Sequence, residues 1–564
     1  MNFTFTLIFI FLSFLSLECK KQSIDFKYSQ SRVAHRVMVV SADERASEIG
    51  VEILRRGGNA IDASVAVGFA LAVVFPEAGN IGGGGFMLNR FPNDSDVVVD
   101  FRETAPVLAN ASIFLDSLGN VSNSISTGHR SAGVPGTVAG LILAHRRWGK
   151  LPLRDVIAPA VLLADEGFVV NELLATKFEE YKEEFRKYPS TWEVVTQSGE
   201  ALKKGDIFRQ PDLAATLRRI ADTQGDDFYK GETARLIIDE MKRGGGLITE
   251  KDLADYKPII RKPLVGSYKG YEIITVPPPS SGGVCLIQLL NLIEQSNLMG
   301  RNSANTTHLF VEAMKLVFAD RARYLGDPDF VSIPLTDLIS KSYAKDLLKR
   351  IEFNKAKLSN QVQESNPFQF EGQHTTHFAV IDEEGTISAV TYTINDLFGN
   401  KIVVRGAGFF LNNEMDDFSV KPDVANMYGL TGNHRNRVEP NKRPLSSMAP
   451  TIVLRDGLPV MILGSRGGPR IITSIFQVVI NFIDFSMSPS QAIDSPRFHH
   501  QLFPDEIIFE RSCFSLSQVR SLTSIGHTLR ETNGSIGKVQ AIFAYKDSLI
   551  GVSDYREGGS PRGY

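Results

Sequence analysis

The spacing of apolar residues changes period several times along this chain, and each change predicts an element. Phe3 to Leu17 is an apolar run without a charged residue, closed by Glu18, Lys20 and Lys21. That arrangement predicts an export leader over residues 1–20. No Lys or Arg precedes the run, and Ser16, Leu17 and Glu18 before Cys19 are not a small-residue cleavage site. Retention as an N-terminal anchor, or lipid attachment at Cys19, therefore stands beside cleavage as an alternative fate.

In SADERASEIGVEILRRGGNAIDASVAVGFALAVV two helix signals follow one another. Ser41 and Glu44 have capping-box spacing, Gly57 and Gly58 stop the first helix, and Asn59 caps a second that is apolar enough to be buried. The glycine run NIGGGGFML comes next, then a strand, VVVDF, leading directly into Arg102. From about residue 140 to 260 the pattern is that of amphipathic helices with charged, solvated outer faces. PPPSSGGV at 277–284 is a turn-rich break, with further helix predicted to about Ile351. Residues 352–373 are polar and aperiodic, which predicts a flexible, exposed linker. Immediately afterwards THFAVID, the turn EEG and TISAVTYTIN alternate as a β-hairpin does.

Composition narrows what such a chain does. Its 564 residues suffice for several average domains, though a large layered α/β fold absorbs that length into one unit. With 43% hydrophobic and 22% charged residues it is a globular protein with a large core. A net charge of −3 and a pI near 6.4 provide no basic field for phosphate backbones, so nucleic acid is not an expected partner. Cys19, Cys285 and Cys513 allow at most one disulfide beyond the leader. His499 and His500 are adjacent and so do not face one metal ion, and neither a metal nor any other cofactor is predicted.

The hairpin brings a candidate chemistry with it. If residues 383–385 form a three-residue loop, Thr375 lies opposite Thr393 and two hydroxyls meet at one strand end. A two-residue loop would put Tyr392 there instead. Threonine is an ordinary strand residue, and a cross-strand pair by itself is packing before it is catalysis.

The order of motifs carries more weight. HTTHFAVID, TYTIN, LNNEMDDF, NKRPLSSMAPTIV and GSRGGPRIIT occur in sequence, preceded by NAIDASVAVGFALAVV, AGNIGGGGFML, DFRETAP and GVPGTVAG and closed by DYREGGSPRGY. This ordered set resembles the γ-glutamyltransferase (γ-glutamyltranspeptidase) family over nearly the whole chain after the leader. The resemblance implies an α/β fold, the αββα sandwich of N-terminal-nucleophile hydrolases. It also implies a precursor that cuts itself between His374 and Thr375, giving a large subunit over 21–374 and a small catalytic subunit over 375–564, intertwined in one fold. The freed α-amino group, with an intrinsic pKa of about 7.7–8.0, would then serve as base for its own hydroxyl.

By the same resemblance Thr393 orients the nucleophile and the Gly467 and Gly468 N–H groups form the oxyanion hole. Arg102, with Ser446 and Ser447, takes the α-carboxylate of a γ-glutamyl donor, while Asn395, Glu414 and Asp417 take its ammonium group. Tyr428 covers the site from a lid loop of the bacterial type. Singly, each has a plainer explanation: a surface ion pair for Arg102, turn residues for the serines, a helix cap for Asp416-Asp417, a long surface loop for the lid. Arg466 and Pro469 depart from the small residues that commonly flank such glycines. The implied activity is transfer and hydrolysis of γ-glutamyl groups from glutathione and other γ-glutamyl amides, with water, amino acids or peptides as acceptors. Poly-γ-glutamate or glutaryl-type amide hydrolysis on the same fold is the neighbouring expectation, and an inactive binding relic a further one. The expected location is periplasmic or extracellular, with membrane attachment only through the N-terminus or Cys19.

Overall fold

Strands that are apolar at nearly every position need cover on both faces. A computed structural model describes residues 28–362, 375–422, 424–430 and 432–564, and it supplies that cover as four layers, helix, sheet, sheet, helix. One seven-stranded sheet runs Gln30–Ala34, Ser548–Ser553, Lys538–Tyr545, Leu458–Arg466, Thr451–Arg455, Tyr271–Thr275, Leu264–Tyr268. The other runs Ser560–Gly563, Met38–Ser41, Thr376–Ile381, Ile387–Thr393, Gly84–Arg90, Asp96–Asp100, Ile259–Arg261. The two sheets pack face to face. Segments before residue 362 and after residue 375 contribute strands to both.

The alternation within the second sheet shows where its faces point. Phe378, Val380, Val390 and Tyr392 join the core shared with helices Glu44–Arg55 and Ala60–Val74. Ala379, Ile381, Ile387 and Ala389 join the core between the sheets and under helices Gly282–Glu294 and Arg470–Ile483. Helix Ala60–Val74 is buried along its whole length, as a sequence apolar at every position but Asp62, Ser64 and Gly68 requires.

Asn59 caps that helix in a reciprocal box with Asp62, as predicted. The first helix differs: its cap is Asp43, which accepts from Arg45 N at 2.9 Å. Ser41 ends a strand instead, with its hydroxyl donating to Asp43 O at 2.8 Å. The predicted linker is corrected at its start. Residues 352–362 are held to the body: Ala356 N donates to Ile525 O at 2.7 Å, Lys315 Nζ to Lys357 O at 2.6 Å, and Ser359 Oγ to Asp505 at 2.7 Å. Ala356 and Ser359 are buried, so polar composition alone misjudged this stretch. Residues 363–374, His374 among them, and the leader lie outside the described residues. Cys285 and Cys513 are both free thiols. Among the described residues no helix is long and apolar enough to cross a membrane.

Asn59 also donates to Trp148 O at 2.6 Å and accepts from Ile61 N and Asp62 N, both at 3.0 Å. Asn59→Ala should therefore lower unfolding stability by about 1–2 kcal/mol in denaturant titration. An unshifted midpoint would remove this cap from the account of the fold.

Candidate active site

The hairpin settles the register that the sequence left open. Ile381 pairs with Ile387 and Thr376 with Tyr392, while Asp382 N donates to Thr386 O at 3.1 Å. The loop is thus Glu383–Gly385, with Gly385 at φ 86°, and Thr375 falls opposite Thr393. Asp382 fixes this turn from outside the strands: its carboxylate accepts from Thr386 N at 2.8 Å and from Ala60 N, at the start of the buried helix, at 2.9 Å.

The glycine run explains how other segments reach this strand end. A Cβ on Gly83 would lie 1.9 Å from Thr393 O, and one on Gly84 would lie 2.5 Å from Phe101 O and 2.6 Å from the Glu103 carboxylate. Only bare backbone permits both approaches. Asn412 ties the run to the following loop, donating to Gly82 O and Gly133 O at 2.8 Å and accepting from Gly133 N at 2.8 Å and Glu414 N at 3.0 Å. The sequence reading passed over Asn412 and Asn413, although both stand in the quoted LNNEMDDF.

Arg102 is fully buried at the centre of a carboxylate cluster. Its guanidinium pairs with Glu414, with Asp417 at 2.5 Å and with Glu103 at 3.4 Å, and Nε donates to Pro444 O at 3.2 Å. Burial opposes its charge, but Glu414, Glu103 and Asp417 together outweigh that and hold it protonated. Burial pushes the Glu103 carboxyl up to about 7 and the Glu414 carboxyl well above the carboxylate range, against the pull of Arg102. Glu103 Oε1 and Glu414 Oε2 face no donor among the described residues. The structure thus brings Arg102, Glu414 and Asp417 together as the sequence predicts, but pairs them with one another.

Around them, Asn395 at φ 71° donates from its backbone N to Thr393 Oγ1 at 2.9 Å and from Nδ2 to Asn413 O at 3.0 Å. Ser446 Oγ accepts from Met448 N at 3.1 Å. Gly468, at φ 55°, precedes helix Arg470–Ile483, and a Cβ there would meet the Tyr428 ring at 2.9 Å. Tyr428 is buried beneath its own loop, donating from Oη to Asn395 O at 2.8 Å and accepting at its carbonyl from Gln501 at 2.8 Å. Asp416 accepts from Met427 N of that loop at 3.0 Å, and Asn426 donates to Asp417 at 3.3 Å. Arg466, an oddity in the sequence, is a buried ion pair with Glu557 at 2.7 Å and Glu77 at 3.1 Å that anchors the strand end before the glycines.

A cavity of about 20 Å³ collects Arg102, Thr375, Thr393, Asn395, Glu414, Asp417, Tyr428, Ser446, Ser447 and Gly468 in its lining. Gly467 lies one residue behind it, at φ 130°, and is not part of the lining. A larger cavity, about 330 Å³, between residues 190–213 and 403–408 holds none of the predicted residues, so volume is a poor guide to chemistry in this molecule. His308, Glu312 and His527 bring ligand atoms within 4.8 Å of one another. They are already satisfied, His308 Nδ1 with His527 Nε2 at 2.7 Å and Glu312 with Lys315 at 2.9 Å, and so form a polar anchor for residues 352–359. His499 and His500 are buried on separate partners, Thr473 and Gln501 for one, Leu502 N and Asp505 for the other.

Residues 46–564 match the family model described as Gamma-glutamyltranspeptidase. The chain is similar to the glutathione hydrolase proenzyme of Escherichia coli strain K12, 46% identical over 530 residues covering 93% of this chain and 91% of that protein. Among solved structures it is similar to cephalosporin acylase from Bacillus halodurans, with a TM-score of 0.84 at 26% identity, covering 95% of this chain and 97% of that one. It is also similar to Helicobacter pylori gamma-glutamyltranspeptidase, with a TM-score of 0.56 at 46% identity, over 57% of this chain and 93% of that one.

Burial raises the Asp416 carboxyl from 3.8 to about 7, so it holds its proton more tightly folded than unfolded. Its contribution to stability is present at acid pH and lost as the pH rises from about 4 to about 7. Asp416→Asn keeps an oxygen for Met427 N and removes that titration. Thermal melts should show a smaller loss between pH 5 and pH 8 for the variant, and an equal loss would exonerate Asp416.

Proposed function

Because the chain belongs to the gamma-glutamyltranspeptidase family, we propose that it transfers and hydrolyses γ-glutamyl groups of glutathione and related amides through an ester on Thr375. The observation that carries this reading is the single cavity in which Thr375 and Thr393 stand beside Arg102, Glu414 and Asp417. The precursor would be cut when the Thr375 hydroxyl attacks the carbonyl of His374, the acyl group passes from nitrogen to oxygen, and water releases it. The large subunit would then end at His374 and the small one begin at Thr375.

In turnover the new α-amine takes the proton of Thr375 Oγ as that oxygen attacks the γ-carbonyl. The oxyanion is met by N–H groups at Gly467 and Gly468, the departing amine takes the proton back, and the ester remains. Water, an amino acid or a peptide amine then attacks the ester and regenerates the hydroxyl. Thr393, opposite the nucleophile, orients it, and Tyr428 closes the site over Asn395.

The donor's two α-charges suit the cluster. Its carboxylate would take Arg102 and the hydroxyls of Ser446 and Ser447, and its ammonium would take Glu414, Asp417 and Asn395, releasing those carboxylates from Arg102. Glu414 Oε2, buried without a donor among the described residues, supports an incoming cation. A glutaryl-type donor lacks that cation and would leave Glu414 unanswered. Export of the mature protein follows from the leader, as periplasmic or extracellular enzyme.

Thr375→Ala should leave one uncut chain on a denaturing gel, with turnover of a γ-glutamyl anilide lost, whereas the parent gives two bands, the smaller starting at Thr375. A stable single-chain parent without activity would overturn the reading. Arg102→Ala would strand the buried carboxyls of Glu103 and Glu414 and the half-buried one of Asp417, so Arg102→Lys is the sharper variant. It keeps the charge and loses the two-pronged contact, and the donor KM should rise roughly 10- to 100-fold while self-cleavage persists. An unchanged KM would take Arg102 out of donor binding.

A further inference from the structure

The turn-rich break at 277–281 lies directly against Ser446 and Ser447. Ser280 bridges Ser446 in parallel, Ser446 N donates to Pro279 O at 2.9 Å, and Ser281 donates to Ser446 O from its N at 2.8 Å and its hydroxyl at 2.6 Å. Arg321, in the last turn of helix Ala304–Tyr324, reaches this junction from beneath. Its Nε donates to Ser281 Oγ at 3.0 Å and an Nη to Ser447 Oγ at 3.5 Å.

Arg321 is buried, yet among the described residues no carboxylate lies within ion-pairing distance of it. Three other deeply buried guanidinium groups differ: Arg102 pairs with Glu414 and Asp417, Arg466 with Glu77 and Glu557, and Arg497 with Asp554 at 2.8 Å. A buried cation without a counter-ion is costly and disfavoured by desolvation. Its neighbourhood is the reverse, since three carboxylates surround Arg102 with only one guanidinium among them. A further carboxylate entering that cluster meets Asp417 and whatever charge Glu103 and Glu414 carry, and a second positive charge beside it offsets that repulsion.

Hydrogen-bond direction adds to this. Because Arg321 donates to Ser447 Oγ and Met448 N donates to Ser446 Oγ, each hydroxyl has its oxygen occupied and its hydrogen left to donate. Both serines line the cavity. At 3.5 Å the Arg321–Ser447 contact is long, so most of the effect is that of the charge.

We propose that Arg321 is a positioning and specificity-determining residue, turning the Ser446–Ser447 pair and the local field toward the α-carboxylate of the donor. This rests on the γ-glutamyl reading above. If the parent enzyme fails to turn over a γ-glutamyl anilide, that reading fails. If the parent is active and Arg321 variants leave donor KM alone, only this inference fails.

The test uses the full chain with Arg321→Gln and Arg321→Lys, each checked for self-cleavage and thermal midpoint. Arg321→Gln should raise KM for the γ-glutamyl anilide about tenfold, or about 1.4 kcal/mol, with kcat changed less than about twofold. Arg321→Lys, which restores the charge, should recover much of that loss. In the Ser447→Ala background the Arg321→Gln penalty should shrink, because the two share one function. The proposal is overturned by an unchanged KM, by kcat falling with KM in parallel with thermal stability, or by penalties that simply add. Should Arg321→Gln not fold, Arg321→Met, which also removes the charge at similar length, takes its place: a raised KM at normal stability supports the inference, and a KM equal to the parent's overturns it.

Discussion

A one-residue slip between strands Thr376–Ile381 and Ile387–Thr393 would exchange every side chain between two cores, and much of the structure serves to prevent it. Phe378, Val380, Val390 and Tyr392 belong to the core under helix Ala60–Val74, and Ala379, Ile381, Ile387 and Ala389 to the core between the sheets. Asp382 then locks the turn to the start of that helix through Ala60 N. On the far edge of the hairpin Tyr392 pairs with Gly85 and Thr393 with Gly84, where only glycine lets the strands approach. What lies opposite Thr375 is therefore decided by packing far from it.

The second dependence is electrostatic. In a dry interior an ion pair is strong only where its geometry and remaining hydrogen bonds are complete. The C-terminal segment at least matches its charges, with Asp554 accepting from Arg497 and Arg556, and Glu557 holding Arg466 beside the glycines, although Nε of Arg497 has no partner among the described residues. The Arg102 cluster does not. It has more carboxylates than cations, and two of its oxygens lack a donor among the described residues, an arrangement that a site awaiting a cationic partner tolerates.

Much of this was legible in the residues. The buried helix after Asn59 and the hairpin with its EEG turn follow directly from period and capping rules. Thr375, Arg102, Glu414 and Asp417 were picked out by ordered motifs, and the fold places them around one cavity. What stayed hidden is what depends on distant partners. Asp43 outcompeted Ser41 as a cap because Ser41 was already committed to a strand. Residues 352–362 read as solvent-loving because their composition is polar, whereas His308 and Lys315 of helix Ala304–Tyr324, together with Asp505, satisfy that polarity from two other segments. Arg102 read as a free clamp, since no single-sequence pattern shows that its partners for the substrate are also its partners without one.

The topology bears on why a cut before Thr375 is compatible with a rigid site. Each sheet mixes strands from both sides of that bond: Gln30–Ala34 beside Ser548–Ser553 in one, and Met38–Ser41 beside Thr376–Ile381 and Ser560–Gly563 in the other. Breaking one peptide bond removes no strand pairing and exposes no core face, so separation of the pieces would require unfolding both sheets. Upstream, the chain is pinned at Glu352, Lys357 and Ser359; downstream, it is fixed by the hairpin register. A threonine that gains an α-amine there keeps the neighbours it had as a mid-chain residue, which is the condition for one hydroxyl to serve both maturation and turnover.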